Sequence, residues 1–143
     1  MILLLCMFPC YTFAQHEYEI YFQSETDETI QLTVVEYDVK KKEATNSACQ
    51  DAIHALLFNG IDGSRKRRLP FVSDEQSSYD RHSAYFNDLF NNGGYNAFIL
   101  ASTVVEKGKD QNKKPYYVVN VNIHYASLKE SLNNHHVIRR FGV

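Results

Sequence analysis

The chain has little cysteine, no long apolar run and almost no net charge, and each shortage closes off a class of protein. Of its three cysteines, Cys6 and Cys10 lie in an apolar N-terminal segment and only Cys49 lies beyond it. If that segment is removed, no intramolecular disulfide can form, which excludes the cysteine framework of small secreted domains. The longest apolar run, Met1 to Ala14, is interrupted by Pro9 and falls short of the roughly 20 residues a bilayer-spanning helix needs. No transmembrane span is expected. Fifteen Lys and Arg against seventeen Asp and Glu leave a net charge of -2, which favours neither nucleic acid nor an acidic membrane as a general partner. No C-x-x-C or H-x-x-x-H spacing offers a metal site, no G-x-S-x-G turn offers an activated serine, and no Gly-rich fingerprint offers a phosphate cradle. No cofactor, metal or catalytic residue is expected.

What the first run does contain is an address. MILLLCMFPCYTFA is uncharged, and Gln15-His16-Glu17-Tyr18-Glu19 turns polar at once. Thr12 and Ala14 are small residues at the two positions a signal peptidase reads. The expectation is a signal peptide over 1–14, cleaved after Ala14, and a secreted or periplasmic single domain over 15–143. No Lys or Arg precedes the apolar core, so either the α-amino group is its only positive charge or a basic segment lies upstream. Leu5 and Pro9 precede the two leader cysteines where a lipoprotein signal carries a small residue, so lipid anchoring is not expected.

Beyond the leader the hydrophobic period sets the elements. Tyr18, Ile20 and Phe22 alternate with polar residues, and residues 29–39 (TIQLTVVEYDV) are β-branched and aromatic, so the two segments predict a hairpin. The period then lengthens: Ala48, Cys49, Ala52, Ile53, Leu56 and Leu57 share half a helical wheel, with Gln50, Asp51 and His54 opposite, facing solvent. Gly60 stands where a left-handed stop belongs, with Ile61 placed to pack back on Leu56. Residues 61–83 show little pattern. Tyr85, Phe86, Leu89 and Phe90 predict a brief helix stopped at Asn91-Asn92-Gly93-Gly94. Residues 95–105 and 116–125 predict a second hairpin around a charged loop, 106–115. Ser127 and Glu130 have the spacing of a capping box for a last helix carrying Leu128 and Leu132. The whole predicts an α+β two-layer sandwich: an antiparallel four-stranded sheet of two hairpins, with two or three helices on one face.

Two groups of residues are candidates for binding. Tyr116, Asn120, Asn122 and His124 line the wet face of the fourth strand, where aromatic and amide groups suit a saccharide or a peptide. Arg65, Lys66, Arg67 and Arg68 form a basic cluster suited to an anionic surface. Asp51 and His54 at i,i+3 resemble part of a triad but are expected in solvent. Cys49 lies on the core stripe, where burial raises a thiol pKa. His124, His135 and His136 could converge only if the last helix folds back on the sheet.

The segments ACQDAIHALLFNGIDG (48–63), YNAF (95–98) and VIRRFGV (137–143) resemble a group of small uncharacterised secreted proteins of gut-type Gram-negative bacteria, and the alanine-spaced helix before a sheet is similar to envelope accessory domains such as those of flagellar assembly factors. The resemblance implies an exported α+β module without an assigned activity. The reading is therefore a non-enzymatic interaction module of the bacterial envelope, with a protein or saccharide partner and no nucleic acid. Two alternatives stand beside it: a small hydrolase or ligand-binding protein with the 61–83 loop as a lid, and an anionic-surface binder using the basic loop.

Overall fold

Alternating apolar residues produce four antiparallel strands, β1 (Tyr18–Glu25), β2 (Ile30–Tyr37), β3 (Ile99–Lys109) and β4 (Pro115–Ile123). This computed structural model describes residues 17–138; the predicted leader with its cleavage point, Cys6, Cys10 and residues 139–143 lie outside that range. The spatial order is β1-β2-β4-β3, so the two hairpins join through their inner strands, with Leu32 opposite Val121 and Val34 opposite Val119. Ile30, Leu32, Val34, Val119, Val121 and Ile123 point to one side and are fully buried. Among the described residues four helices build the layer on that side, with α1 lying directly on the sheet: α1 (Lys41–Phe58), α2 (Glu75–Arg81), α3 (Ser83–Phe90) and α4 (Tyr125–Asn134). The fold is the expected α+β arrangement of two hairpins with helices against the sheet, with more helices than the sequence predicts.

α1 is the centre of the helical layer. Ala44, Ala48 and Ala52 keep it slim where it is buried, and Ile53, Leu56 and Leu57 fill the core. At its end Gly60 adopts φ 76° and donates to the Ala55 carbonyl at 2.8 Å. A Cβ there would stand 2.1 Å from the Arg68 carbonyl oxygen, so glycine is required for space as well as for backbone conformation. Ile61 is buried behind it in the same core as Leu56, as expected.

Four expectations are corrected. The 61–83 segment is not patternless: Asp74 accepts from the Ser77 N–H at 3.0 Å and caps α2, a helix in which no residue is fully buried, so that it leaves no apolar stripe to read. Tyr95–Phe98 is not strand but part of a 3-10 turn, Gly94–Phe98, which follows Gly93 at φ 78°. The charged loop shrinks to residues 110–114, where the Asp110 carboxylate accepts from the Asn112 and Lys114 N–H groups at 2.8 and 2.9 Å. β3 therefore keeps Glu106, Lys107 and Lys109, which an edge strand can point into water. Finally, α4 starts before Ser127: the His124 ring accepts from the Ser127 N–H at 3.0 Å, so His124 is the cap and Ser127 lies inside the first turn.

Candidate functional site

The face of the sheet turned away from the helices carries no covering element among the described residues. Register sets its rows. Tyr21, Thr33, Asn120 and Thr103 lie side by side across all four strands, followed on one side by Gln31, Asn122 and Ala101 and on the other by Glu19, Val35, Val118 and Glu106. Thr33 donates to the Asn120 amide oxygen at 2.8 Å, which holds that amide in place. The Tyr21 hydroxyl bonds to the Glu19 carboxylate, and Tyr21 remains 50% exposed. At the end of the face Tyr37 and Tyr116 stand 6.3 Å apart, tilted by 51°. Tyr116 lies across Gly108, where a Cβ would come within 2.6 Å of the tyrosine hydroxyl. Three predicted residues, Tyr116, Asn120 and Asn122, thus share one surface with Tyr21, Tyr37 and Thr33, which the pattern of a single strand could not add.

His124 does not belong to that row. It lies past the end of β4, its Nδ1 accepting from both the N–H (3.0 Å) and the hydroxyl (2.6 Å) of Ser127, and its Nε2 3.6 Å from Glu28. The order Ser–His–Glu has the composition of a relay, but the nitrogen that would take the serine proton is already committed to the same residue's backbone. The arrangement caps a helix.

The basic cluster is divided by its surroundings. Glu25 accepts from the Ser64 hydroxyl and from the backbone of Arg65 (2.9 Å) and Lys66 (3.4 Å). Burial alone would raise the Glu25 pKa, but these bonds carry it below the usual carboxylate value. Lys66 pairs with Asp27. Arg67 turns inward, its guanidinium 3.9 Å above the Phe71 ring, and burial lowers its pKa. Arg65 and Arg68 are exposed. The four residues therefore do not present one charged surface.

A buried acid is the strongest electrostatic feature, and it is not among the candidates the sequence offers. Glu36 continues the inward series Ile30, Leu32, Val34 on β2 and is fully buried beneath α1. It stands between Tyr18 and Tyr117 on the neighbouring strands. Burial, then its hydrogen bond with Asp51 of α1, then the charge of that group push its pKa up to about 10. Asp51 is thus half-buried rather than solvent-facing, because α1 lays that side against β2. His54 is half-buried too: its Nε2 meets Glu75 of α2 at 2.8 Å and its ring lies 5.0 Å from Phe58. The signal that could have found Glu36 is the period-two alternation itself, which places it on the dry face.

The remaining candidates do not assemble a reactive centre. Cys49 is buried as expected; burial raises its thiol pKa and a bond with Ser102 opposes the rise. His135 rests 4.8 Å from the Tyr85 ring and bonds the Ser131 carbonyl. Among the described residues no three His, Cys, Asp or Glu side chains group to hold a metal ion. His82, Ser83 and Asp88 line one shallow hollow of about 410 Å³, but Asp88 accepts from Asn92 at 2.8 Å and no hydrogen bond among the described residues joins the three. Comparison of the chain with family models, with curated proteins and with solved structures finds no match. No helix among the described residues is long and apolar enough to cross a membrane.

Proposed function

We propose that this protein is a non-enzymatic interaction module that works outside the cytoplasm, in the bacterial envelope, and captures a protein or saccharide partner on the open face of its sheet. The observation that carries the reading is the uncovered row of Tyr21, Thr33 and Asn120, flanked by Asn122 and Tyr116. Aromatic rings offer area at small entropic cost, and fixed amides offer directional hydrogen bonds. The Thr33–Asn120 bond pre-orients one such amide, which lowers the ordering cost of binding. The uncharged N-terminal run and the resemblance to small exported proteins support the location.

The test is capture of envelope components by the tagged, immobilised protein, wild type against Tyr116→Ala/Asn120→Ala/Asn122→Ala. The triple variant is expected to retain its fold by circular dichroism and to lose capture by about tenfold or more, the scale of a few lost hot-spot contacts. Equal capture by both proteins rejects the open face as the site.

A further inference from the structure

The helical side carries a second feature, independent of the open sheet face. A groove of about 560 Å³ runs between the 67–74 segment, α2, α4 and Val137–Ile138, within the usual size range of small-molecule sites. Its lining mixes two chemistries. Phe71, Val137 and Ile138 are apolar, Arg81 and Lys129 are exposed cations, and Arg67 adds a third cation whose guanidinium lies over the Phe71 ring.

Those three charges have no ion-pair partner among the described residues. Glu25 is occupied by Ser64 and by the backbone of Arg65 and Lys66. Lys66, not Arg67, holds Asp27. The one carboxylate in the groove wall, Asp74, caps α2. Three cations against one carboxylate leave an excess of two positive charges. Arg67 is half-buried: Nε donates to the Lys66 carbonyl at 2.6 Å, and Nη1 is closed off from water with no acceptor. Glu25 acts on Arg67 only through its charge, and the Phe71 and Tyr125 rings give the guanidinium no acceptor. A half-buried cation left short of acceptors is costly, and a bound anion in the groove offsets that cost.

We propose that this groove binds a small oxyanion carried on an apolar body, its carboxylate or phosphate head held by the exposed Arg81 and Lys129, its chain or ring laid on Phe71 and Ile138, with Arg67 as the fixed charge behind the Phe71 ring. The mixed lining selects such a ligand over a bare anion, which leaves the apolar residues wet, and over a neutral amphiphile, which leaves the cations unpaired.

Titration of the ¹⁵N-labelled full chain with octanoate, octyl phosphate, octanol and inorganic phosphate tests this. Octanoate or octyl phosphate is expected to saturate and to move the amide signals of Ser73, Ser77, Arg81, Lys129 and Val137. The better of the two identifies the head group. Inorganic phosphate and octanol are each expected to bind at least about tenfold more weakly than the better amphiphile, the scale of one or two lost charge-assisted bonds or of the lost apolar contact. Arg81→Gln/Lys129→Gln changes two exposed side chains, so the spectrum serves as the check on folding, and affinity is expected to fall by about tenfold or more. Shifts scattered over all exposed lysines, octanol equal to the charged amphiphiles, or a double variant that binds like wild type overturns the proposal.

Discussion

Glu36 makes the stability of this protein depend on pH. Its unfolded-state value is 4.5 and its native value is raised to about 10 by burial and by Asp51. Between those limits the native chain holds a proton that the unfolded chain has released. Stability contributed by the protonated group is therefore complete below about pH 4.5 and is lost as pH rises through the window. Each unit of difference is worth about 1.4 kcal/mol. Glu36→Gln keeps the shape and can still donate to Asp51 without a proton to lose. It is expected to be close to neutral at about pH 5 and stabilising by roughly 2–4 kcal/mol at about pH 8. Urea midpoints of both proteins across that range read the effect; a gain that does not grow with pH contradicts the assignment. The position of Glu36 is legible in the alternation Ile30, Leu32, Val34, Glu36. Its partner is not, because a helical wheel of α1 alone puts Asp51 opposite the apolar stripe, and only the tertiary placement of α1 on β2 brings the two acids together.

At the scale of elements, the helices around α1 are held by rings rather than by an aliphatic stripe. Tyr79 of α2 stacks on Phe86 of α3 at 4.7 Å, and both meet Phe58 of α1, at 5.7 and 5.6 Å. Burial raises the Tyr79 pKa to about 12. α2 has no fully buried residue, so its remaining ties are the Asp74 cap and the Glu75–His54 bond. Tyr79→Ala is accordingly expected to release α2 alone. In hydrogen exchange its amides lose protection while those of β2 and β4 keep theirs, since local opening follows local burial. Loss of protection across the sheet as well would show that α2 is part of the central cooperative unit. The same facts explain what the sequence made readable. Strand alternation and the α1 stripe are strong because each buries a face. α2 is short and polar, its anchor is one tyrosine, and the 3-10 turn before β3 is apolar enough (Tyr95, Ala97, Phe98) to pass for the start of a strand. The open-face residues of β4 were legible one strand at a time; their neighbours on β1 and β2 required the register.

At the scale of the whole molecule, the sheet has two edges unpaired among the described residues, β1 and β3, and β3 is the hazardous one. It is eleven residues long and exposes Leu100, Val104 and Val105, the composition of a strand that would pair with another copy. Two irregularities in register, at Ile99/Ala101 and Val104/Glu106, break the straight row of donors and acceptors, and Glu106, Lys107 and Lys109 place charge along the far half. β1 carries a similar irregularity at Phe22/Ser24. Bulges and edge charges are the devices by which sheets avoid edge-to-edge association, so the edges are guarded while the face with Tyr21, Thr33 and Asn120 stays open. Replacing the guard charges by β-formers, Glu106→Thr/Lys107→Val/Lys109→Thr, leaves the core untouched and is expected to cause concentration-dependent self-association, seen as a shift to dimer or larger species in size-exclusion chromatography with light scattering. Adding Val104→Lys to that variant restores a charge at the centre of the edge and is expected to reverse the shift. If the triple variant elutes like the wild type at every concentration, the charges are not what keeps β3 unpaired, and the bulges alone suffice.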